Sequence, residues 1–308
     1  MEPNRIASIC VIGDVILDVV AYITDARLSL IEQHKGAMLS CKIDMLPGGT
    51  AVHAAVGAVD AGFRRVSIIG KVGCTNEAHE PDIAAAVIDG YLQGFHIERL
   101  FSRVGLASTG IAVMSYLADN TCLVTYDRGA NEMLCVDDIT ASMRECITSS
   151  DVVFVSGYTF LHPTCAEAVM TLMDIANTHG KLVVVDVVPH KLYTVVDPEL
   201  FRRYTYSAHV LVAELSTIQR FLTSDGGVES IGAYLLKDYF AAIVRTSDDV
   251  QHIYIRARKP QILDTGYSQA VIANRRGYLD RATIGQLPHI LAAFLQNGKS
   301  QQDEVGDS

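Results

Sequence analysis

Several features that would place a protein at a membrane or on nucleic acid are absent from this sequence. No apolar run reaches the roughly 18–20 residues that a transmembrane helix needs. Met1–Arg5 is polar, and the apolar segment Ile6–Ile12 that follows is short, so no secretory signal is expected. The formal net charge is −10, and no cluster of lysine or arginine offers a surface to nucleic acid. We therefore expect a cytoplasmic protein with neither membrane nor nucleic-acid partners.

The cysteines lack the spacing of a metal or redox site. There are seven, an odd number, and no two are spaced as Cys-x-x-Cys. They are Cys10, Cys41, Cys74, Cys122, Cys135, Cys146 and Cys165. We interpret them as reduced, partly buried thiols of a cytoplasmic protein, and the sequence predicts no metal site.

The composition is that of a folded globular protein. Of 308 residues, 49% are hydrophobic and 19% charged, which leaves room for one large α/β domain or two small ones. In the second half, strand patterns at Asp151–Val155 and Lys181–Val185 flank a helical pattern at Thr164–Thr178. Further strands are predicted at Val210–Val212, Ala241–Arg245 and Gln251–Ile255. This alternation predicts a mainly parallel sheet with right-handed crossovers.

One stretch, Pro47–Gly73, organises the first half. It opens with Gly48-Gly49, a backbone that can bend tightly and approach a ligand. The small-residue run Ala51–Ala61 is apolar on nearly every side, as in a buried helix. A buried strand, Val66–Ile69, follows. A glycine turn, a buried helix and a buried strand are typical of an α/β domain with a site at the sheet edge.

This stretch resembles the first signature of the PfkB (ribokinase-like) carbohydrate and nucleoside kinases, in which a glycine pair and a small-residue helix lead into LG, V, IG and VG. The resemblance implies a three-layer α/β/α sandwich with a mainly parallel sheet and a small β lid. It implies a single domain over 1–298, with lid segments near 18–46 and 106–127. We expect the polar residues 299–308 to form a disordered tail.

The clearest strand pair of the first half is Ser108–Leu117 with Thr121–Tyr126, joined by a turn over 118–120. In ribokinase-like proteins two such excursions pair as the lid over the sugar. Apolar residues occupy both faces of Ser108–Leu117, and a small sheet of that kind needs a second cover. Because the lids of two subunits clasp one another in related kinases, the resemblance implies a homodimer through this sheet. Arg128-Gly-Ala-Asn131 resembles the step that follows the lid.

The resemblance places the substrate contacts in the first half. Asp18 matches the family's aspartate that holds sugar hydroxyls, and a carboxylate can accept two such hydrogen bonds. The alternative is a loop aspartate that caps the next segment. Gly48 and Gly49 match sugar-contacting glycines, and Asp14 is a neighbouring candidate. His53 replaces the family's asparagine; it either donates to a substrate hydroxyl, which adds a pH dependence, or is a buried histidine satisfied by the backbone.

The second half departs from the family at the nucleotide and metal motifs. The loop T-x-G-x-x-G is replaced by Thr246-Ser-Asp-Asp-Val-Gln, and no glycine lies between Gly232 and Gly266. Backbone amides therefore cannot close on a nucleotide there in the usual way, and Thr246 remains as a weak candidate contact. Of the family's N-x-x-E segment, which organises magnesium, only Glu214 is left.

The catalytic signature D-T-x-G-A-G-D is altered further. The chain reads Asp264-Thr-Gly-Tyr-Ser-Gln269, one residue shorter. Gly266, Tyr267 and Ser268 stand in place of the anion cradle, and Gln269 stands where the family's aspartate takes the proton from the attacking hydroxyl. A neutral glutamine cannot accept that proton. ATP and magnesium are therefore expected only if the chain is an active kinase.

Three functions stay open. The sequence favours a ribokinase-fold protein that binds a small polyol-type ligand, sugar-like or nucleoside-like, with phosphotransfer impaired or lost. The first alternative is an active ATP-dependent sugar or nucleoside kinase in which Asp264 or His53 accepts the proton. The second is a non-kinase enzyme that reuses the pocket, with His53, His162 and His190 as acid–base candidates. A fold alone does not choose among them.

Overall fold

The structure is built on two β-sheets. The computed structural model describes residues 7–23, 40–75, 80–117, 122–187, 196–222, 224–247, 250–256, 258, 261–264 and 281–306. The strands of this part of the chain are β1 (Ser8–Ile12), β2 (Ile16–Ile23), β3 (Lys42–Gly48), β4 (Arg65–Gly73), β5 (Glu98–Val104), β6 (Thr109–Leu117), β7 (Cys122–Gly129), β8 (Val152–Ser156), β9 (Leu182–Val187), β10 (Val210–Glu214), β11 (Ala241–Ser247), β12 (Val250–Ile255) and β13 (Gln261–Asp264).

The larger sheet has the strand order β13-β12-β11-β10-β9-β8-β1-β4-β5. Every neighbouring pair from β11 across to β5 is parallel, whereas β12 and β13 extend one edge in antiparallel fashion. The strands β8 and β9, with sequences VVFVS and LVVVDV, are buried at every position. Continuous apolar runs of this kind are expected where helices cover both faces of a parallel sheet.

Helices lie on both faces of this sheet. They are α1 (Thr50–Asp60), α2 (Ile83–Gly94), α3 (Ala141–Ser149), α4 (Pro163–Thr178), α5 (Pro198–Tyr204), α6 (Leu215–Leu222), α7 (Val228–Leu235), α8 (Arg281–Ile284) and α9 (Leu287–Gly306). Apolar residues of α1, α2 and α9 share one core cluster with the sheet, and those of α3 to α7 share a second cluster on the other face. Two cores that flank one sheet make a three-layer sandwich.

The smaller sheet, which we call the lid, has the order β3-β2-β6-β7. β2 and β6 are parallel, and the two outer pairs are antiparallel. Because β2 begins at Ile16, soon after β1 ends at Ile12, the lid leaves the core directly from a central strand. By register, one face of the lid carries five exposed apolar side chains: Ile43, Met45, Ile111, Val113 and Leu123.

The predicted fold class is confirmed: the central sheet is mainly parallel, helices flank it, and a second small sheet is present. The predicted strands and helices of the second half agree with β8, α4, β9 and β10 to within two residues at most ends. Several elements were not predicted, among them α2, β5, α5 and β13. Among the described helices, none has the length and apolarity that a bilayer span requires.

One prediction is wrong in the described part of the chain. The helix α9 continues to Gly306, so a disordered tail is not found over 299–306. Lysine, glutamine and glutamate in that segment are good helix formers, and extending an existing helix avoids the cost of nucleation. The predicted turn over 118–120 and residues 307–308 lie outside the described residues.

Candidate ligand-binding site

Asp18 lies where the lid meets the core. It stands on β2 between Leu46 of β3 and Ala112 of β6, in register with both. Its carboxylate lies over the backbone of Gly48, where an added Cβ would collide with the carboxylate carbon and both oxygens. Glycine is therefore required at residue 48 for Asp18 to take this position. The structure thus places in contact two residues that the sequence assigned to the substrate.

The turn after Gly48 sets the position of His53. Gly49 has a φ of +88°, which favours glycine, and a Cβ there would collide with the carbonyl oxygen of Asp14. The carbonyl of Gly49 accepts the His53 amide at 3.1 Å, which begins α1 and sets the ring beside Asp18. His53 Nε2 is 3.9 Å from Asp18 Oδ2, too far for a direct hydrogen bond but suited to a shared hydroxyl between them.

The protonation state of His53 defines what this pair can do. Burial lowers the pKa of His53 to about 4, so the ring is neutral at pH 7 and offers one donor and one acceptor. The side chains of His53 and Asp18 keep 26% and 14% of their exposure, so both groups are reachable from outside. An acceptor-only carboxylate and a donor–acceptor ring suit a ligand with neighbouring hydroxyl groups.

Asp14, also assigned to the substrate, has a buried partner. Its two carboxylate oxygens accept hydrogen bonds from Arg128 Nε at 2.8 Å and Nη2 at 3.0 Å, and both side chains are 4% exposed. Arg128 also donates to the carbonyl of Tyr158 at 3.0 Å. This pair joins the start of β2 to the end of β7, while a contact between Asp14 and a substrate stays a prediction.

The segment Arg128–Asn131 fastens the base of the lid. Asn131 Oδ1 accepts the Val15 amide at 2.8 Å, and its Nδ2 donates to the carbonyls of Val15 and Arg128, each at 2.9 Å. Gly129 has a φ of +51°, and a Cβ there would collide with the carbonyl of Ser108. The segment Arg128–Asn131, which resembles the family's segment after the lid, therefore holds the base of the lid in place.

A second polar group lies at the carboxyl ends of four consecutive parallel strands. Ser156 ends β8 and is in register with Asp186 of β9. Glu214 of β10 and Arg245 of β11 are also in register with one another and lie two residues farther along the strands. Alternation along the strands puts all four side chains on the face that α1 and α9 cover.

Ser156 and Asp186 are completely buried without partners. Both residues are 0% exposed, and neither the Ser156 hydroxyl nor either oxygen of Asp186 makes a hydrogen bond. Burial raises the pKa of Asp186 to about 8; the charge of Arg245 opposes this rise and that of Glu214 adds to it. Nearly all buried polar atoms in proteins are paired, so three unpaired oxygens at adjacent register positions call for a functional explanation.

The other predicted residues are only partly within the described structure. Thr246 is exposed on β11, Glu214 is half-buried at the end of β10, and Asp264 ends β13 in register with Val250. His162 precedes α4 and has a buried Nδ1 without a hydrogen bond. Four residues of the altered catalytic signature and one histidine lie outside the described residues: Gly266, Tyr267, Ser268, Gln269 and His190.

We did not predict a site at Ser156, Asp186 or Arg245 from the sequence. The available signal was a single carboxylate that ends the run of valines in β9, and a serine that ends the apolar strand β8. Among the described residues, no three histidine, cysteine, aspartate or glutamate side chains are grouped so as to hold a metal ion.

Solved structures similar to this chain include sugar and nucleoside kinases. A probable sugar kinase from Rhizobium etli superposes with a TM-score of 0.69 at 15% identity, over 84% of this chain and 79% of that chain. Arabidopsis thaliana ribokinase in complex with ribose and ATP gives 0.65 at 17% identity, over 84% and 78%. Adenosine kinase from Sinorhizobium meliloti gives 0.66 at 16% identity, over 84% and 80%.

Comparisons by sequence add nothing to this. No protein-family model matches the chain, and no curated protein matches it either. The structural likenesses show that the chain has the ribokinase-like fold, so the resemblance seen in the sequence is confirmed at the level of the fold.

Proposed function

We propose that this chain binds a small polyol-type ligand, a sugar or a nucleoside, between the lid and the core, and that its phosphotransfer is impaired or lost. The observation that carries the first half is the arrangement of Asp18 over Gly48 with the neutral ring of His53 beside it. The comparison with a ribokinase bound to ribose and ATP supports a polyhydroxylated ligand for this fold.

The second half of the proposal rests on the nucleotide and metal residues. The fold family implies ATP and magnesium, but Glu214 is the remaining residue of the magnesium motif, and its register partner is the cationic Arg245. A guanidinium in that position opposes a divalent cation. Gln269 cannot act as a base, and the glycines of the nucleotide loop are missing from the sequence. The residues present do not fit the nucleotide and its metal.

The proposal extends to assembly and location. The lid face that exposes Ile43, Met45 and Leu123 at 59–60% is suited to a second copy of the chain, because a small sheet with an open apolar face gains from being covered. None of the seven cysteines, all of them among the described residues, forms a disulfide, which supports a reducing compartment such as the cytoplasm.

Calorimetric titration with ribose, fructose, adenosine and ATP tests this function. We expect at least one sugar or nucleoside to bind, and Asp18→Asn to weaken it by about 10- to 100-fold, the usual range for a hydrogen bond to a charged group. The matched control is Asp89→Asn, which removes a carboxylate from a surface ion pair with Arg99 on α2 and β5. Binding that is insensitive to Asp18→Asn contradicts the site.

The catalytic half needs a separate measurement. Phosphorylation of the bound compound by ATP should be absent or very slow, since loss of a general base alone typically costs about 10²–10⁴-fold. Rapid phosphotransfer by the unmodified protein would instead establish the active-kinase alternative. Conversion of the ligand without ATP would establish the non-kinase enzyme.

A further inference from the structure

The three unpaired oxygens on β8 and β9 form a single polar group, which we call the receptor. Ser156 and Asp186 are register partners on neighbouring parallel strands, which lie about 4.8 Å apart. Their side chains project from the same face of the sheet, because paired positions share a face. Gly13 lies beside Ser156, and a Cβ there would lie 2.6 Å from Ser156 Cβ. The space next to Ser156 is therefore kept free of a side chain by Gly13.

We propose that Ser156 and Asp186 bind the primary ammonium group of a small ligand. A primary ammonium has three N–H donors and no acceptor, and the receptor has three oxygens able to accept: Ser156 Oγ and the two oxygens of Asp186. A ligand hydroxyl has one donor: it can donate to one Asp186 oxygen and accept from the Ser156 hydroxyl, but it leaves the second Asp186 oxygen unpaired. The match in number therefore favours the ammonium group over a hydroxyl.

The charges around the receptor agree with a cation. Ionised Asp186 and Glu214 carry two negative charges, and Arg245 carries one positive charge, so the group has a net charge of −1 that a bound ammonium neutralises. The other charged residues nearby, Asp14 and Arg128, already neutralise each other in their buried pair. In the empty receptor Asp186 instead keeps a proton, since burial raises its pKa to about 8.

This site does not depend on the polyol proposal. It lies on β8 and β9, whereas Asp18 lies on β2 in the lid, and an amine with no polyol chain can test it. All three oxygens are inaccessible in this structure, so the receptor must open to admit a ligand, and association should be slow.

The test is a series of related ligands that differ in the number of N–H donors. Binding is measured by calorimetry and by the rise in thermal unfolding temperature, near pH 8, where Asp186 titrates. The probes are 1-amino-1-deoxysorbitol, its N-methyl and N,N-dimethyl derivatives, and sorbitol. Ethanolamine and ethylene glycol form a second pair without a polyol chain. We expect affinity to fall about tenfold or more with each donor removed, and sorbitol to bind more weakly than its primary amine.

Two variants test whether the preference for amines comes from Ser156 and Asp186. Ser156→Ala removes one acceptor, so the primary amine and its N-methyl derivative should then bind alike. Asp186→Asn should abolish the preference for amines over alcohols, whereas Asp89→Asn should leave it unchanged. Equal binding of amine and alcohol, absence of binding by both amines, or a preference that survives Asp186→Asn would each overturn the proposal. None of these outcomes bears on Asp18→Asn, so the polyol site is judged separately.

Discussion

Replacing Asp186 by asparagine should stabilise the protein, and by an amount that grows with pH. The pKa of Asp186 rises from 3.8 to about 8 in the folded protein because burial disfavours the charged form. Between these values the unfolded chain has released the proton and the folded chain still holds it. The free energy of unfolding of the wild type is therefore not reduced by this group below about pH 4, and it falls progressively as the pH rises towards 8. Asparagine has the same shape and does not titrate.

The size of the effect follows from the pKa difference. Each pH unit in this window should reduce the free energy of unfolding of the wild type by about 1.4 kcal/mol relative to the variant. From 3.8 to about 8, the accumulated difference is on the order of 5 kcal/mol as an upper bound. Aspartate and asparagine at residue 186 both leave buried polar atoms unpaired, so the cost of those unpaired atoms largely cancels when the two proteins are compared.

Urea unfolding at a series of pH values measures this difference. The chain has no tryptophan, so far-UV circular dichroism is the suitable signal. Burial lowers the pKa of His53 and His209 to about 4, which destabilises the protein as the pH falls below about 6.5, but both proteins contain these histidines and the term cancels.

The control for this experiment is Asp89→Asn, a surface ion pair whose loss should change stability by about 0–1 kcal/mol at any pH. A flat difference between wild type and Asp186→Asn would show that Asp186 is not held protonated. A difference of opposite sign, with the variant losing stability relative to the wild type as the pH rises, would show that Asp186 is ion-paired, and the receptor described above would then not exist.

Two further predictions concern the lid. Arg128→Met should destabilise the protein by about 3–5 kcal/mol in urea unfolding, because it leaves Asp14 buried without its partner, and adding Asp14→Asn should recover part of that loss; equal stability of the single and double variants would contradict this. The wild type should sediment as a dimer at micromolar concentration, and the double variant Met45→Lys with Leu123→Lys should sediment as a monomer. The control Tyr206→Lys, a change at an 89% exposed tyrosine outside the lid, should remain dimeric. A monomeric wild type would refute the lid interface.

The parts of the fold that the sequence could predict depend on local patterns. The valine runs of β8 and β9 predict strands buried on both faces, and Gly48-Gly49 before a small-residue helix predicts the turn that the structure shows. α2 was missed because Ile83–Gly94 contains two glycines and an exposed isoleucine, which weaken the helical pattern, while its start is fixed by the cap from Asp82.

The candidate site was less predictable because its contacts are distant in sequence. Asp14 and Arg128 are 114 residues apart, and Val15 and Asn131 are 116 apart, so no local pattern reveals either pair. Asp14 and Asp18 look alike in the sequence, yet one carboxylate is buried against a guanidinium and the other lies at the lid. The register of β2 against β3 and β6 places Asp18 at the lid, whereas the ion pair with Arg128 holds Asp14 in the interior.

The stability and the binding of this protein should be linked through Asp186. A ligand that donates hydrogen bonds to its carboxylate favours the charged form and lowers its pKa, which removes the penalty that burial imposes. Such a ligand should therefore raise the unfolding temperature more at pH 8 than at pH 5, since only at the higher pH does the empty folded state carry most of that penalty. A valine at this position would extend the apolar run of β9 without any such cost. Binding of a ligand group by the Asp186 carboxylate would explain why the protein keeps a residue that costs stability. The increase in unfolding temperature caused by the ligand, measured as a function of pH, tests for that binding directly.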